Sequence, residues 1–347
     1  MTQTIRAWPP LVGVTDVRVA TRLEEWLASL ADLSWMRLAG RDGSRIRIVS
    51  ALLHGNEPSS ARALHRWLLQ RAAPATEVWL LFGAVRAALA EPPFTHRFLP
   101  DEGDLNRCWQ APFASPSARR AEELLAAFTD CDAEALLDLH NNTGHNPPYG
   151  VGPRDDPAVL GLVSLFGELF VHSPLRMGTL VEATAPCFPS AAIECGRSGD
   201  PAADDVAFRG LRRFLELDSL AGLHAEADRI RVLGDPIRVT LRPGTRLSFE
   251  SSPRPDADLT LDPEIDRHNF QPLEPGTRLG WLADGALPLS AHDASGTDRA
   301  AELFLVDGHD LRVARPWIPV MMTTDAHAAT LDCLFYAVQP RSGPGER

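Results

Sequence analysis

The sequence predicts an α/β protein in which a mainly parallel or mixed sheet is flanked by helices and followed by a smaller β-rich domain. Two observations carry this prediction. Up to about residue 225, continuous apolar runs of strand length alternate with segments whose apolar residues recur at helical spacing, which is typical of a sheet covered on both faces. Beyond that point, short alternating runs are broken by proline and glycine, as in antiparallel strands joined by turns.

The predicted elements of the first part follow one another as strand and helix. Residues 45–53 form an apolar run short enough for a buried strand, and Ala61, Leu64 and Leu68 then recur at helical spacing. The same two patterns predict the other elements: strands at 77–85, 134–141 and 189–196, and helices at 117–131, 156–170 and 202–223. We therefore place one domain over residues 1–225 and a β-rich domain over residues 226–340.

The composition excludes several classes of protein. All 34 basic residues are arginine, and with 46 acidic residues the formal net charge is −12. A chain without lysine cannot form a Schiff base or supply the lysine of a Walker-A phosphate loop. The acidic balance argues against a nucleic-acid partner, because phosphate binding needs a basic surface. The chain has no GxSxG motif and no CxxC pair among its five cysteines, which disfavours a serine hydrolase and a disulfide framework.

The sequence also bears on localisation. The opening MTQTIRAWPP lacks the charged-then-apolar pattern of a signal peptide, and no apolar run reaches the roughly 18 residues of a membrane span. We therefore expect a cytoplasmic protein with no membrane partner. The sequence leaves open whether it forms a homo-oligomer.

Two histidines and a glutamate follow predicted strands. His54 and Glu57 lie in the HGNE turn after the first strand, and His140 ends the third. Open α/β sheets place their ligands at such strand ends, and two imidazoles with one carboxylate form a donor set that binds catalytic zinc and leaves a position for water. Each residue alone has a structural explanation, such as a carboxylate in the first turn of a helix. Asp138, on the same face as His140, could orient a ligand imidazole.

The order of four short motifs resembles that of the succinylglutamate desuccinylase/aspartoacylase family, which belongs with the zinc carboxypeptidases. The motifs are HGNE at 54–57, DLNR at 104–107, DLHNN at 138–142 and IECG at 193–196, and NFQPL at 269–273 resembles the C-terminal domain of that family. The resemblance implies a zinc-carboxypeptidase-like fold with the catalytic domain at 1–225. It also implies one zinc ion per chain, bound by His54, Glu57 and His140.

The resemblance implies roles for residues around the metal. Glu194 would be the general base that takes a proton from water and returns it to the leaving amine, and Arg97 would polarise the scissile carbonyl and stabilise the oxyanion. Asn106 and Arg107 would bind a substrate carboxylate, and Asn141 would contact the substrate. These residue types suit the chemistry, because a guanidinium offers two parallel donors to a carboxylate and an activated water needs a proton acceptor within reach.

Two departures from the family concern the substrate. Arg197 follows Glu-Cys-Gly where desuccinylases often carry lysine. The family's arginine for a second substrate carboxylate corresponds to the neighbourhood of Thr184, and Arg176 would replace it only if its loop folds back. The resemblance therefore does not imply which acyl group is removed.

The expected function is zinc-dependent hydrolysis of a C–N amide bond that removes an acyl group from an N-acylated amino acid or a related small molecule. Two alternatives stay open. A metallocarboxypeptidase acting on short peptide-like amides would use the same metal and base. A zinc-bound binding protein without activity is the other alternative, and Glu194 argues against it because a binding protein needs no base.

Overall fold

The computed structural model of the chain describes residues 19–30 and 32–341, and the opening MTQTIRAWPP lies outside them. The chain divides into two compact units. Of the described residues, the first comprises those up to Asn141, with Pro148–Phe170 and Arg176–Ile230. The second comprises Asn142–Pro147, Val171–Leu175 and the described residues from Arg231 to Arg341.

The first unit alternates strands with helices. Its strands are β1 (Ser34–Leu38), β2 (Asp42–Ala51), β3 (Thr76–Phe82), β4 (Ala135–Asn142), β5 (Tyr149–Gly152), β6 (Leu169–His172) and β7 (Ser190–Arg197). Its helices are α1 (Leu23–Leu27), α2 (Ser59–Leu69), α3 (Val85–Leu89), α4 (Pro116–Asp130), α5 (Pro157–Val163), α6 (Leu180–Thr184) and α7 (Pro201–Glu216), with 3-10 segments at Leu105–Arg107 and Ala221–Arg229. The strands follow the order β1-β3-β2-β4-β7-β5-β6. The sheet is mixed, because β2 is parallel to β3 and β4 whereas β1 and β5 are antiparallel to β3 and β7.

Helices cover both faces of this sheet. Ile48 of β2 lies in a buried core with Leu124 and Phe128 of α4. Arg47, its neighbour in β2, donates to the backbone carbonyl of Phe214 in α7 and places its guanidinium over the ring of Phe214. Because successive residues of a strand point to opposite faces, α4 and α7 lie on opposite sides of the sheet. The predicted α/β class with flanking helices is confirmed.

Two predicted helices are too long. The helix predicted at 156–170 ends at Val163, and its last residues belong to β6. A turn at 164–166 separates these elements. Gly167 then packs against the Pro148 backbone, where a Cβ atom would come within 2.7 Å of the carbonyl oxygen. The helix predicted at 202–223 ends at Glu216. Both errors arise because an apolar run alone does not distinguish a helix from a buried strand or mark where a helix ends.

The second unit is rich in β-structure, as predicted. Its strands are β8 (Arg231–Leu241), β9 (Leu247–Phe249), β10 (Leu259–Leu261), β11 (Arg278–Leu282), β12 (Leu289–His292), β13 (Phe304–Asp307), β14 (Asp310–Val313), β15 (Ile318–Val320) and β16 (Phe335–Pro340), with helices α8 (Ala300–Leu303) and α9 (Ala326–Leu331). A small sheet has the order β13-β14-β11-β10-β9. Its pairs are antiparallel except β9 with β10. Within residues 19–30 and 32–341, no helix is long and apolar enough to cross a membrane.

Candidate metal centre

Three buried side chains converge where β2 and β4 end. His54 and Glu57 lie in the turn between β2 and α2, and His140 lies near the end of the neighbouring strand β4. One ligand atom from each comes within 4.8 Å of the others. The turn is tight, because a Cβ on Gly55 would approach the backbone nitrogen of Ala88 to 2.5 Å. The fold thus brings together the three residues that the sequence predicts as metal ligands.

Glu57 lies between the two imidazoles. Its Oε1 is 2.8 Å from Nδ1 of His54, and its Oε2 is 2.7 Å from Nδ1 of His140. The Arg97 guanidinium also reaches Oε1, at 3.5 Å, and the backbone N–H of Asn141 donates to Oε2 at 3.3 Å. Burial alone would raise the pKa of Glu57, but the charges and hydrogen bonds of both histidines hold it well below its usual range. Glu57 is therefore an ionised carboxylate, as metal ligation requires.

A second carboxylate faces the far nitrogen of each imidazole. Asp104 Oδ1 lies 3.0 Å from Nε2 of His54. Asp138 Oδ2 lies 2.9 Å from Nε2 of His140, as an ion-pair contact without hydrogen-bond geometry. Burial lowers the pKa of both imidazoles, and the surrounding carboxylates outweigh burial and raise it. Each Nδ1 faces Glu57, with which it could share a cation, and each Nε2 faces an aspartate, as in carboxylate–histidine–metal sites. The donor set therefore fits a metal ion.

Asp104 was not singled out from the sequence, although it joins the metal ligands to Arg97. Its Oδ1 also accepts from the backbone N–H of Asn106 at 2.8 Å, and its Oδ2 lies 3.0 Å from the Arg97 guanidinium. Burial would raise the pKa of Asp104, but His54 and Arg97 lower it well below its usual range. The sequence feature that could have pointed to Asp104 is its position just before a 3-10 turn, where an aspartate side chain accepts from a backbone N–H. Its contact with His54, fifty residues away in sequence, has no sequence signature.

Glu194 reaches the same end of the sheet from β7, the strand beside β4. Its side chain is buried, and its Oε2 has no hydrogen-bond partner within the described residues. Burial raises the pKa of Glu194 to about 7, against the opposing effects of His140, His54 and Arg97. A carboxyl group with a pKa near neutrality can both take up and release a proton at physiological pH.

The predicted substrate-binding residues differ in the contacts that their side chains make within the protein. Arg107 is half-buried and donates to the backbone oxygen of Asn106 at 2.9 Å. The Asn106 side chain is buried: its Oδ1 accepts from the Leu180 N–H at 3.1 Å, and its Nδ2 lies 3.4 Å from Nε2 of His140. The side chain of Asn141 is hydrogen-bonded at both ends within the protein. Each of these two asparagine amides therefore already makes contacts within the protein.

The loop before α6 packs beside the DLNR turn. The Trp109 N–H donates to the Gly178 carbonyl at 3.1 Å, and Arg176, two residues earlier, is exposed. Thr184 is buried, and its hydroxyl donates to Ser190 Oγ at 2.9 Å. The Thr184 side chain is therefore buried and hydrogen-bonded within the protein, whereas Arg176 is an exposed residue of the loop before α6.

The chain is similar to proteins of known family and structure. Residues 43–182 match the family model described as the succinylglutamate desuccinylase/aspartoacylase catalytic domain. A succinylglutamate desuccinylase/aspartoacylase from Rhodobacter sphaeroides superposes with a TM-score of 0.57 at 15% identity, over 90% of each chain. The succinylglutamate desuccinylase from Chromobacterium violaceum gives 0.54 at 14% identity, over 92% of this chain and 97% of the other. Murine aminoacylase 3 gives 0.53 at 19% identity, over 87% and 97%.

The two kinds of similarity support different conclusions. No curated protein matches the chain in sequence, and at these identities the structural matches establish the fold. The family match covers His54, Glu57, the DLNR turn and His140, and it ends before Glu194. The resemblance drawn from the motifs is confirmed over residues 43–182, which match the model of the succinylglutamate desuccinylase/aspartoacylase catalytic domain.

Proposed function

We propose that this chain is a zinc-dependent amidohydrolase that removes the acyl group from an N-acylated amino acid or a related small molecule. The convergence of His54, Glu57 and His140 in a buried cluster, with the buried carboxyl of Glu194 beside it, carries the proposal. Two imidazoles and a carboxylate are the ligands of catalytic zinc sites that keep a position for water. The similar structures include a succinylglutamate desuccinylase and an aminoacylase, whose names agree with amide hydrolysis.

The ligands would be Nδ1 of His54, Nδ1 of His140 and the carboxylate of Glu57. When bound, zinc would lower the pKa of a water molecule and polarise the amide carbonyl. Asp104 would keep the Nε2 proton of His54 in place, and the charge of Asp138 beside Nε2 of His140 would favour the orientation of that ring. Glu194 would take the proton from the attacking water on its carboxylate and deliver it to the nitrogen of the leaving amine.

Arginines would bind and polarise the substrate. Arg97 is held by Asp104 and by Glu57, so its guanidinium faces the metal ligands, where it can stabilise negative charge that develops on the carbonyl oxygen. Arg107, on the adjacent 3-10 turn, can offer paired donors to a substrate carboxylate. Asn106 would mainly hold this turn in place, because both ends of its amide already contact the protein.

A substrate panel tests the proposal. The purified protein, loaded with one equivalent of zinc, is offered N-acetyl and N-succinyl amino acids, with and without a second carboxylate on the amino acid, beside unmodified dipeptides. We expect release of free amino acid from N-acyl compounds and loss of that activity after removal of the metal by a chelator. Preferential cleavage of dipeptides would instead identify a metallocarboxypeptidase. Zinc binding without turnover of any compound would favour a binding protein.

The contact between Asp104 and His54 gives a prediction for metal affinity. Asp104→Asn keeps an acceptor for the Asn106 N–H and for the imidazole, but removes the negative charge. We expect zinc affinity to fall roughly 10–100-fold, the usual cost of losing a group that orients a metal ligand. Competition with a chromophoric chelator measures this affinity. Asp130→Asn, an exposed change at the end of α4, is the matched control, and equal affinities of the two variants would contradict the assignment.

A further inference from the structure

One buried side chain at the site has contacts that the proposed chemistry does not explain. Asn141 follows the ligand His140 in β4, and its side chain is 2% exposed. Its Oδ1 accepts from the backbone N–H of Ser59 at 3.1 Å, and its Nδ2 donates to the backbone carbonyl of Gly196 at 3.1 Å. Its backbone N–H donates to Oε2 of Glu57 at 3.3 Å. Both ends of the Asn141 side-chain amide are therefore hydrogen-bonded within the protein.

These hydrogen bonds join the three chain segments that carry the site. Ser59 begins α2, two residues after Glu57, and Gly196 lies in β7, two residues after Glu194. Asn141 itself lies in β4 beside His140. One amide thus connects the turn that carries Glu57, the strand that carries His140 and the strand that carries Glu194.

The direction of each hydrogen bond requires an amide at this position. The Ser59 N–H needs an acceptor and the Gly196 carbonyl needs a donor, and an asparagine side chain presents one of each. An aspartate would keep the acceptor, but it would place a carboxylate oxygen against the Gly196 carbonyl and a second negative charge near Glu57. An alanine would leave both backbone groups buried without partners. Gly196 has a φ of 121°, a conformation that residues with a side chain rarely adopt, so its carbonyl direction depends on this particular backbone shape.

We propose that Asn141 is a positioning residue that fixes Glu57 and Glu194 relative to one another and does not contact the substrate. This inference rests on the proposed function, because it assigns Glu57 to the metal and Glu194 to proton transfer. It differs from the substrate contact that the family resemblance implies for Asn141. A positioning residue acts on metal affinity and on turnover, whereas a substrate contact acts first on the binding of substrate.

Variants at Asn141 separate the two roles. Asn141→Asp has the same shape, and Asn141→Ala removes the amide altogether. For Asn141→Ala we expect the zinc affinity of the metal-free protein, measured by chelator competition, to fall roughly 10–100-fold. For Asn141→Asp we expect a smaller fall, because the added negative charge favours the cation. At saturating zinc we expect kcat to fall by a similar factor while KM stays unchanged. Wild-type zinc affinity combined with a raised KM would overturn the positioning role.

Asn146→Ala is the matched control. The Asn146 amide also makes two hydrogen bonds within the protein, to Asn142 Oδ1 and from the Met321 N–H, both at 3.0 Å. Its loss should lower the unfolding temperature by an amount comparable to that of Asn141→Ala without changing zinc affinity or kcat. If Asn146→Ala changed zinc affinity and kcat as much as Asn141→Ala does, general destabilisation would explain both, and the proposal would fail.

A measurement on the wild-type protein needs no variant. The backbone N–H resonance of Asn141 should shift when zinc binds, because this N–H donates to Oε2 of Glu57. The side-chain NH₂ resonances, whose donor partner is the Gly196 carbonyl, should not shift when a product amino acid is added. A large shift with product would place the substrate against Asn141 and overturn the inference. If the wild-type chain bound no zinc at all, the proposed function itself would fail, so the two failures are distinguishable.

Discussion

Glu194→Gln should lower kcat roughly 10²–10⁴-fold while the protein keeps one zinc ion per chain. Glutamine preserves the size of the side chain but cannot accept a proton, so only the transfer from the attacking water to the leaving amine is lost. The buried Oε2 of Glu194 has no other hydrogen-bond partner in the described chain, so the substitution breaks no structural contact of that atom. Atomic emission measures the zinc content, and initial rates on the best substrate of the panel measure kcat.

Glu122→Gln is the control for this experiment. Glu122 is exposed on α4. Its replacement removes one negative charge from a residue that has no proposed role in catalysis. We expect wild-type kcat for this control. Unchanged turnover in Glu194→Gln would remove Glu194 as the base. Loss of zinc together with turnover would show instead that Glu194 supports the metal ligands.

The ligand set was predictable because its signals are local. HGNE follows an apolar strand and precedes a helical pattern, and His140 ends another apolar run, so a parallel arrangement brings both to one edge of the sheet. The structure has this arrangement, with β2 beside β4. The role of Glu194 is implied by the family resemblance, and its position near the end of a short apolar run agrees with that role. Its strand β7 lies on the other side of β4.

The contacts that orient these residues were less accessible from the sequence. Asp138 could be anticipated from its place on the same strand face as His140, since residues two apart in a strand share a face. Asp104 meets His54 across fifty residues of chain, and its motif letters fit a capping aspartate equally well. For Asn141 the family resemblance implies a substrate contact, whereas the fold supplies both of its side-chain partners from α2 and β7. Partners set by tertiary packing leave no spacing pattern in the sequence.

Glu57→Gln should remove most of the zinc from the protein and with it the activity. Four-ligand zinc sites bind with about 10–16 kcal/mol, so one ligand accounts for on the order of 3 kcal/mol, or roughly 10²-fold in affinity. The contribution of Glu57 to the free energy of zinc binding should equal or exceed this value. Its carboxylate faces both imidazoles, at 2.8 and 2.7 Å, and its negative charge neutralises part of the positive charge of the cation. Chelator competition on the metal-free variant measures the loss.

The order of effects among variants makes this prediction specific. Zinc affinity should fall further in Glu57→Gln than in Asp104→Asn, because Glu57 would contact the metal whereas Asp104 acts through His54. Glu122→Gln should bind zinc as the wild type does. If Asp104→Asn lost zinc and Glu57→Gln retained it, the metal would lie on the other side of His54, against Nε2. In that case Glu57 would serve only to hold the two imidazoles, and the assignment of Nδ1 as the ligating atom would be wrong.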